Sequence, residues 1–195
     1  MQIEEYSPLA MRTEAPYPEM TEKKIRLIHA ALGLTSEVAE LTEGLTALYA
    51  ASSASERRAA QLNVAEELSD MCWFLNLGCK ALSHLPPPAP AFVGAAGTPI
   101  EYLTLKAGEF ADLVKAHVFY NKPNEFEMQR VLCRIEDALL WMVKHLQFDG
   151  FGVGSIPELR AKNIAKLKAR YPGKYSEHAA LNRDKAAEYA AIENG

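Results

Sequence analysis

The chain has 195 residues, 49% of them apolar and 24% charged, with a formal net charge of −4. That length and balance fit one globular domain with a core of its own, and a mildly acidic chain has no general attraction for nucleic acid or anionic lipid. No apolar run reaches the length that spans a bilayer, no signal peptide is expected behind the acidic start, and the three cysteines, Cys72, Cys79 and Cys133, contain no C-x-x-C pair. They read as buried free thiols in a reducing, cytoplasmic setting.

Residues 1–20 hold Pro8, Pro16 and Pro18. The expectation there is a short helix near 3–12 followed by an extended arm. Thr21 is an N-cap candidate, and from Glu22 the apolar positions Ile25, Ile28, Leu32, Ala39, Leu41, Leu45 and Leu48 recur at helical spacing to about residue 50. Gly33 and Gly44 interrupt this helix. Each costs roughly 1 kcal/mol relative to Ala, and such glycines often mark close helix approach. After the loop of Ser52, Ser53 and Ser55, with Glu56 in the first turn, a second helix extends to about residue 84. The prolines 86–88 and 90 end it.

Residues 86–99 form a Pro/Gly loop, expected to be ordered against the body. A third helix is predicted over 100–120 and stops at Asn121-Lys122-Pro123. A fourth covers 124–147, with Asn124 as N-cap and Glu125 and Glu127 in its first turn. The glycine-rich turn at 148–157 lies between helices with no strand before it, so it is no dinucleotide loop. A fifth helix is predicted over 157–170, halted by Tyr171-Pro172-Gly173, and a short one near 182–192. No segment alternates like a strand. The predicted fold is all-α: one domain with an arm (1–20), a first hairpin (21–85), a loop (86–99), a second hairpin (100–147) and a C-terminal helix and tail (157–195).

Two acid pairs carry the chemistry. Glu37 and Glu40 stand three apart on the first helix, and Glu67 and Asp70 stand three apart on the second. At i and i+3 each pair shares one helix face. Packed face to face, the two helices bring four carboxylates together, an arrangement that calls for positive charge between them. A divalent metal is the usual answer. The halves also resemble each other: Glu37-x-x-Glu40-Leu41 matches Glu109-x-x-Asp112-Leu113, and Asp70 aligns with Asp137. That alignment puts Arg134 where Glu67 stands, so only the first half keeps a full acidic set. A chance likeness of two helical hairpins is the alternative.

The acid pairs with their flanks, His29 to Glu37, Trp73-Phe74-Leu75, and the C-terminal Asn163-x-x-Lys166-x-x-x-Arg170-Tyr171-Pro172 followed by Asn182-Arg183-Asp184, resemble the MazG-like all-α nucleoside triphosphate pyrophosphohydrolases. The segment from Tyr6 to Thr13 resembles their N-terminal arm. The resemblance implies an all-α MazG-like bundle, and the internal likeness of the halves reads as two degenerate hairpin repeats forming one four-helix bundle. The resemblance also implies Mg²⁺-dependent cleavage of a (d)NTP to (d)NMP and pyrophosphate, with Mn²⁺ as an alternative ion, and Glu37, Glu40, Glu67 and Asp70 as metal ligands. Mg²⁺ takes oxygen ligands and bridges carboxylates to phosphates.

One position departs from the pattern. Many members carry a Glu where this chain has Ser36, and that Glu is a candidate to activate water. Glu66 is the substitute considered, set against a plain salt-bridge role. It lies one step of about 100° round the helix from Glu67. On the substrate side, Asn163, Lys166 and Arg170 form a face suited to phosphate, against a solvated helix face. His29, Trp73 and Phe74 are set between base contact and packing, and Arg12 is a phosphate contact from the arm. Glu109 and Asp112 read as relics or salt-bridge partners rather than a second metal site. The expected partner is a nucleoside triphosphate, with no nucleic acid and no membrane; monomer and homodimer both stay open. The rival readings are a pyrophosphohydrolase for an alarmone or modified dNTP, a nucleotide-binding or regulatory protein without turnover, and a plain helical interaction bundle.

Overall fold

A computed structural model describes residue 11 and residues 18–83 and 97–194. Among these residues every regular element is a helix: α1 Glu22–Ala50, α2 Ala54–Ala81, α3 Pro99–Tyr120, α4 Glu125–Phe148, α5 Ile156–Arg170, α6 Glu177–Leu181 and α7 Lys185–Asn194. None is long and apolar enough to cross a membrane. The predicted helix at 3–12 apart from residue 11, residues 86–96 of the predicted loop at 86–99, and Arg12 lie outside the described residues.

The helix starts follow local chemistry. Thr21 caps α1 by accepting from the Lys24 N–H, without the reciprocal acid of a capping box. Ser53 and Glu56 form a full capping box on α2, Thr98 and Glu101 on α3, and Ser155 and Glu158 on α5. These boxes start α3 and α5 one residue ahead of the predicted 100 and 157, with Pro99 and Pro157 near their first positions. α2 stops at Ala81, short of the predicted 84. Asn124 precedes α4, but its side chain makes no capping bond. It is buried, and its Nδ2 donates instead to the Leu113 carbonyl of α3 at 2.9 Å. The predicted tail helix near 182–192 is α7, Lys185–Asn194, and a short helix the pattern did not indicate, α6 over Glu177–Leu181, precedes it.

The four long helices form a ring. α1 packs on α2 and α3, α4 packs on α3, and α2 closes the ring against α4. Leu27, Leu34, Leu41 and Leu48, seven residues apart, are all but fully buried on α1. A seven-residue apolar repeat keeps one seam facing its partners along the whole helix. Phe110, Met128, Leu132 and Ile135 fill the opposite side of the core. The two glycines of α1 mark the close approach of α2. A Cβ on Gly33 would stand 2.1 Å from the Phe74 ring, and one on Gly44 2.9 Å from Asn63. α5 lies outside the ring against α2, and α7 packs on α5 and reaches α2. This two-helix cover faces the acidic end of the α1–α2 hairpin.

Candidate metal centre and phosphate pocket

A pocket of about 560 Å³ opens where α1, α2, α5 and α7 meet. α1 supplies His29, Glu37 and Glu40. α2 supplies Asn63, Glu66, Glu67, Asp70, Trp73 and Phe74, while α5 contributes Asn163, Lys166 and Arg170. Arg183, Lys185, Glu188 and Tyr189 complete the wall from the C-terminal segment, with Tyr171 and Tyr175 from the stretch between.

Glu37, Glu67 and Asp70 each offer a carboxylate oxygen, and these atoms lie within 4.8 Å of one another. Two oxygens on opposite sides of a Mg²⁺ ion, each about 2.0–2.1 Å from it, stand about 4.1 Å apart. Small side-chain rotations therefore bring the three into range of one ion. Glu40 lines the same pocket but stands outside this trio, exposed to solvent. The three-residue spacing aligns the acids along each helix. The packing of α1 on α2 then decides that Glu37 faces Glu67 and Asp70, leaving Glu40 one turn further out.

The electrostatics of the trio are those of crowded, buried acids. Burial, then the charges of Asp70 and Glu40, push Glu37 up to about 7. Burial, then Glu66, Glu40 and Glu37, push Glu67 up to about 9, and its carboxyl donates a hydrogen bond to Glu37. A hydrogen bond between two carboxyl groups needs a proton on one of them, in keeping with both values being raised. Burial also raises Asp70, opposed by the Lys166 ammonium. An all-oxygen, mostly buried donor set of this kind fits a hard divalent cation.

The chain brings its own cations to the other side of the cluster. Lys166 is 1% exposed and pairs with Asp70 and, at 3.3 Å, with Glu66. Asn163 Nδ2 donates to Asp70 Oδ1 at 2.7 Å. Lys166 and Asn163 thus meet the acids directly, rather than presenting an open basic face. Glu66 Oε1 accepts from Lys166 and, at 3.5 Å, from Arg183, and Tyr189 bonds the same carboxylate. Glu66 is placed as a salt-bridge partner of α5 and the C-terminal segment. Arg170 turns to Glu188. Ser36 donates to the Gly33 carbonyl at 3.0 Å and to Glu37 Oε1 at 3.3 Å, so its hydroxyl touches the trio.

At the rim, His29 lies edge-on to Trp73 and Phe74, with ring centroids 5.6 and 5.5 Å away, and Trp73 and Phe74 stand 4.9 Å apart. Phe74 covers Gly33 of α1 and is the packing member; His29 is the exposed one. In the second half, each matching acid meets a cation of its own helix. Glu109 pairs with Lys106 at 2.5 Å, Asp112 pairs with Lys115, and Arg134 reaches Asp137 at 3.3 Å.

Spacing along the chain gives no role to Arg183, Glu188 or Tyr189. Arg183 was in view within Asn182-Arg183-Asp184. Glu188 carried no signal, since one acid on an alanine-rich helix is ordinary until the fold buries it. Comparison with protein-family models, with curated proteins and with solved structures returned no match for this chain.

Proposed function

We propose that this chain is a divalent-metal-dependent nucleoside triphosphate pyrophosphohydrolase, with the pocket between α1, α2, α5 and α7 as its active site. The observation that carries the reading is the set of two buried carboxylates, Glu37 and Glu67, and the part-buried Asp70, contributed by two helices and converging within 4.8 Å. A stable fold tolerates such a set when a cation or a retained proton relieves it. Beside it lies a cavity of about 560 Å³, within the usual range for small-molecule sites. Cationic side chains and a half-exposed aromatic rim line that cavity, which suits a ligand with both phosphate and base.

Glu37, Glu67 and Asp70 would hold the ion, with Glu40 next to them for a second or for a bound water. A divalent ion in such a site polarises phosphoryl oxygens and makes bound water more acidic. The chain's own residues do the rest. Asn163 fixes the Asp70 carboxylate by a hydrogen bond, and Lys166 offsets charge on Asp70 and Glu66. Arg170 and Arg183 are the phosphate-side cations, Trp73 and His29 offer ring faces and edges for a base, and Ser36 orients Glu37. The resemblance to MazG-like enzymes supports the choice of phosphoanhydride over other metal-assisted hydrolysis.

One observation favours a second reading, a nucleotide-binding protein without turnover. Lys166 already neutralises Asp70 and Glu66, and Ser36 stands where a water-activating Glu is expected. A panel of NTPs and dNTPs with Mg²⁺ or Mn²⁺, assayed for pyrophosphate, separates the two. The hydrolase reading expects metal-dependent release of pyrophosphate, reduced more than about 100-fold in Asp70→Asn and clearly reduced in Glu40→Gln. Metal-dependent binding with no product moves the assignment to the binding protein. Absence of both turnover and binding ends the metal-centre proposal.

A further inference from the structure

The pocket holds an anion site that the chain fills with one of its own side chains. Glu188 of α7 is 2% exposed although it is a carboxylate on the last helix of the chain. Its two oxygens take four N–H groups from two guanidinium forks. Arg170 donates Nε to Oε1 at 2.7 Å and Nη2 to Oε2 at 2.5 Å. Arg183 donates Nη2 to Oε2 at 2.7 Å and Nε to Oε1 at 3.4 Å. A guanidinium fork matches carboxylate and phosphate oxygens in the same geometry. Two forks closing on one group form an oxyanion cradle, here inside the wall of the acidic pocket.

We propose that Arg170 and Arg183 are a phosphate site of this pocket, and that Glu188 occupies it as an internal surrogate which a phosphate-bearing ligand displaces, releasing α7. The inference rests on the reading of the pocket as a polyphosphate site. Charge balance gives it direction. The acid trio is negative, and Lys166 is already committed to Asp70 and Glu66. A polyphosphate entering here needs cations, and the two arginines line the pocket without being tied directly into the trio; in the resting chain both are bound to Glu188. A proton does not open the cradle at ordinary pH. Burial would push Glu188 up, but the two arginines outweigh it and hold the acid down to about 2. A competing anion is the remaining key. Besides Glu188, α7 is held by its packing on α5, by buried Ile192, by the Tyr189 bond to Glu66 and by Glu193, which meets Arg58 at 3.1 Å on the surface.

Two measurements decide the matter, both with inorganic tripolyphosphate and Mg²⁺ as the probe. In the wild-type chain, amide hydrogen exchange across residues 185–194 should speed up as tripolyphosphate is added. By calorimetry, Glu188→Gln should bind tripolyphosphate about tenfold more tightly than wild type, the factor that corresponds to 1.4 kcal/mol. Unchanged or slower exchange in α7 overturns the proposal. So does weaker or equal binding by the variant, which would make Glu188 a residue that positions the arginines. Should the variant fail to fold, the wild-type exchange experiment decides alone. Nucleotide turnover without release of α7 leaves the hydrolase reading standing and removes this one. Release of α7 by tripolyphosphate, in a chain that hydrolyses no nucleotide, does the reverse.

Discussion

Glu67 is buried at 6% exposure among Glu66, Glu37 and Glu40, while Lys166 and Arg183 bond its neighbours Asp70 and Glu66. Its place in the structure is therefore costly without a proton or a cation. Replacing it should separate function from stability in a way that an ordinary core residue does not. Glu67→Gln is expected to weaken Mn²⁺ binding by more than about 100-fold while raising the Tm of the metal-free protein at pH 8. Unchanged Mn²⁺ binding with a lowered Tm would show that Glu67 is a structural hydrogen-bond partner and no ligand. Gly33 offers a test of the aromatic rim. An alanine there gains roughly 1 kcal/mol of helix propensity. Its Cβ, however, meets three atoms of the Phe74 ring at 2.1–2.4 Å, and overpacking of this kind costs about 1–3 kcal/mol. Gly33→Ala should be net destabilising and should shift the fluorescence of Trp73, whose ring touches Phe74. A stabilised variant with unchanged fluorescence would mean that the ring gives way freely.

The helices were legible in the sequence to within a few residues, because their signals are local. Apolar spacing, serine and threonine caps and proline stops act within one or two turns. The small errors have local causes too. Thr98-x-x-Glu101 and Ser155-x-x-Glu158 are capping-box patterns, and reading them places the starts of α3 and α5 correctly. Asn124 misleads for the opposite reason: its side chain has a better partner on another helix, the Leu113 carbonyl. α5 is the element on which the site depends, since it carries Asn163, Lys166 and Arg170 on the side that meets α2 and α7. Its N-terminus is held by Ser155 and Glu158. Ser155→Ala should cost about 1 kcal/mol, read as a Tm lowered by roughly 2–4 °C for a chain of this size. An unchanged Tm would show that tertiary packing alone holds α5.

For the molecule as a whole, the acid trio and the Glu188 cradle give opposite dependences on pH. Glu37 and Glu67 titrate higher in the folded chain, about 7 and about 9, than their usual 4.5. The native state therefore holds protons that the unfolded state releases between those values. Their contribution to stability is fully present below about pH 4.5 and is lost as pH rises through 7 towards 9. Glu188 behaves the other way: depressed to about 2, it contributes above its ordinary 4.5 and loses that contribution as pH falls towards 2. The metal-free protein should thus be less stable at pH 9 than at pH 5.5. A divalent cation, which competes with those protons, should raise Tm more at pH 8.5 than at pH 6. At 100 times its Kd the ion adds about 2.7 kcal/mol. Thermal melts in EDTA and in Mn²⁺ across this range check both statements. A Tm that rises with pH in EDTA, or a metal effect equal at both pH values, would count against the trio as a proton-competing metal site.

The sequence by itself determined the all-α class, the limits of the long helices and the placing of Glu37 with Glu40 and Glu67 with Asp70 on single helix faces. All of these follow from spacing along one helix. The ion pairs of Lys106, Lys115 and Arg134 with Glu109, Asp112 and Asp137 are likewise local, each cation standing within one turn of the acid it meets. Only the tertiary structure decided which acids converge and what opposes them. Glu40 stands outside the trio because of how α1 lies on α2. Lys166 is nearly one hundred residues from Asp70 in sequence, and Arg183 is further still from Glu66. No spacing rule reaches that far. Glu66 is the sharpest case: its position one residue from Glu67 left its role open, and α5 and the C-terminal segment, by folding over α2, turned it to Lys166 and Arg183. Burial, charge and partner there are properties of packed helices, and they exist only once the helices have met.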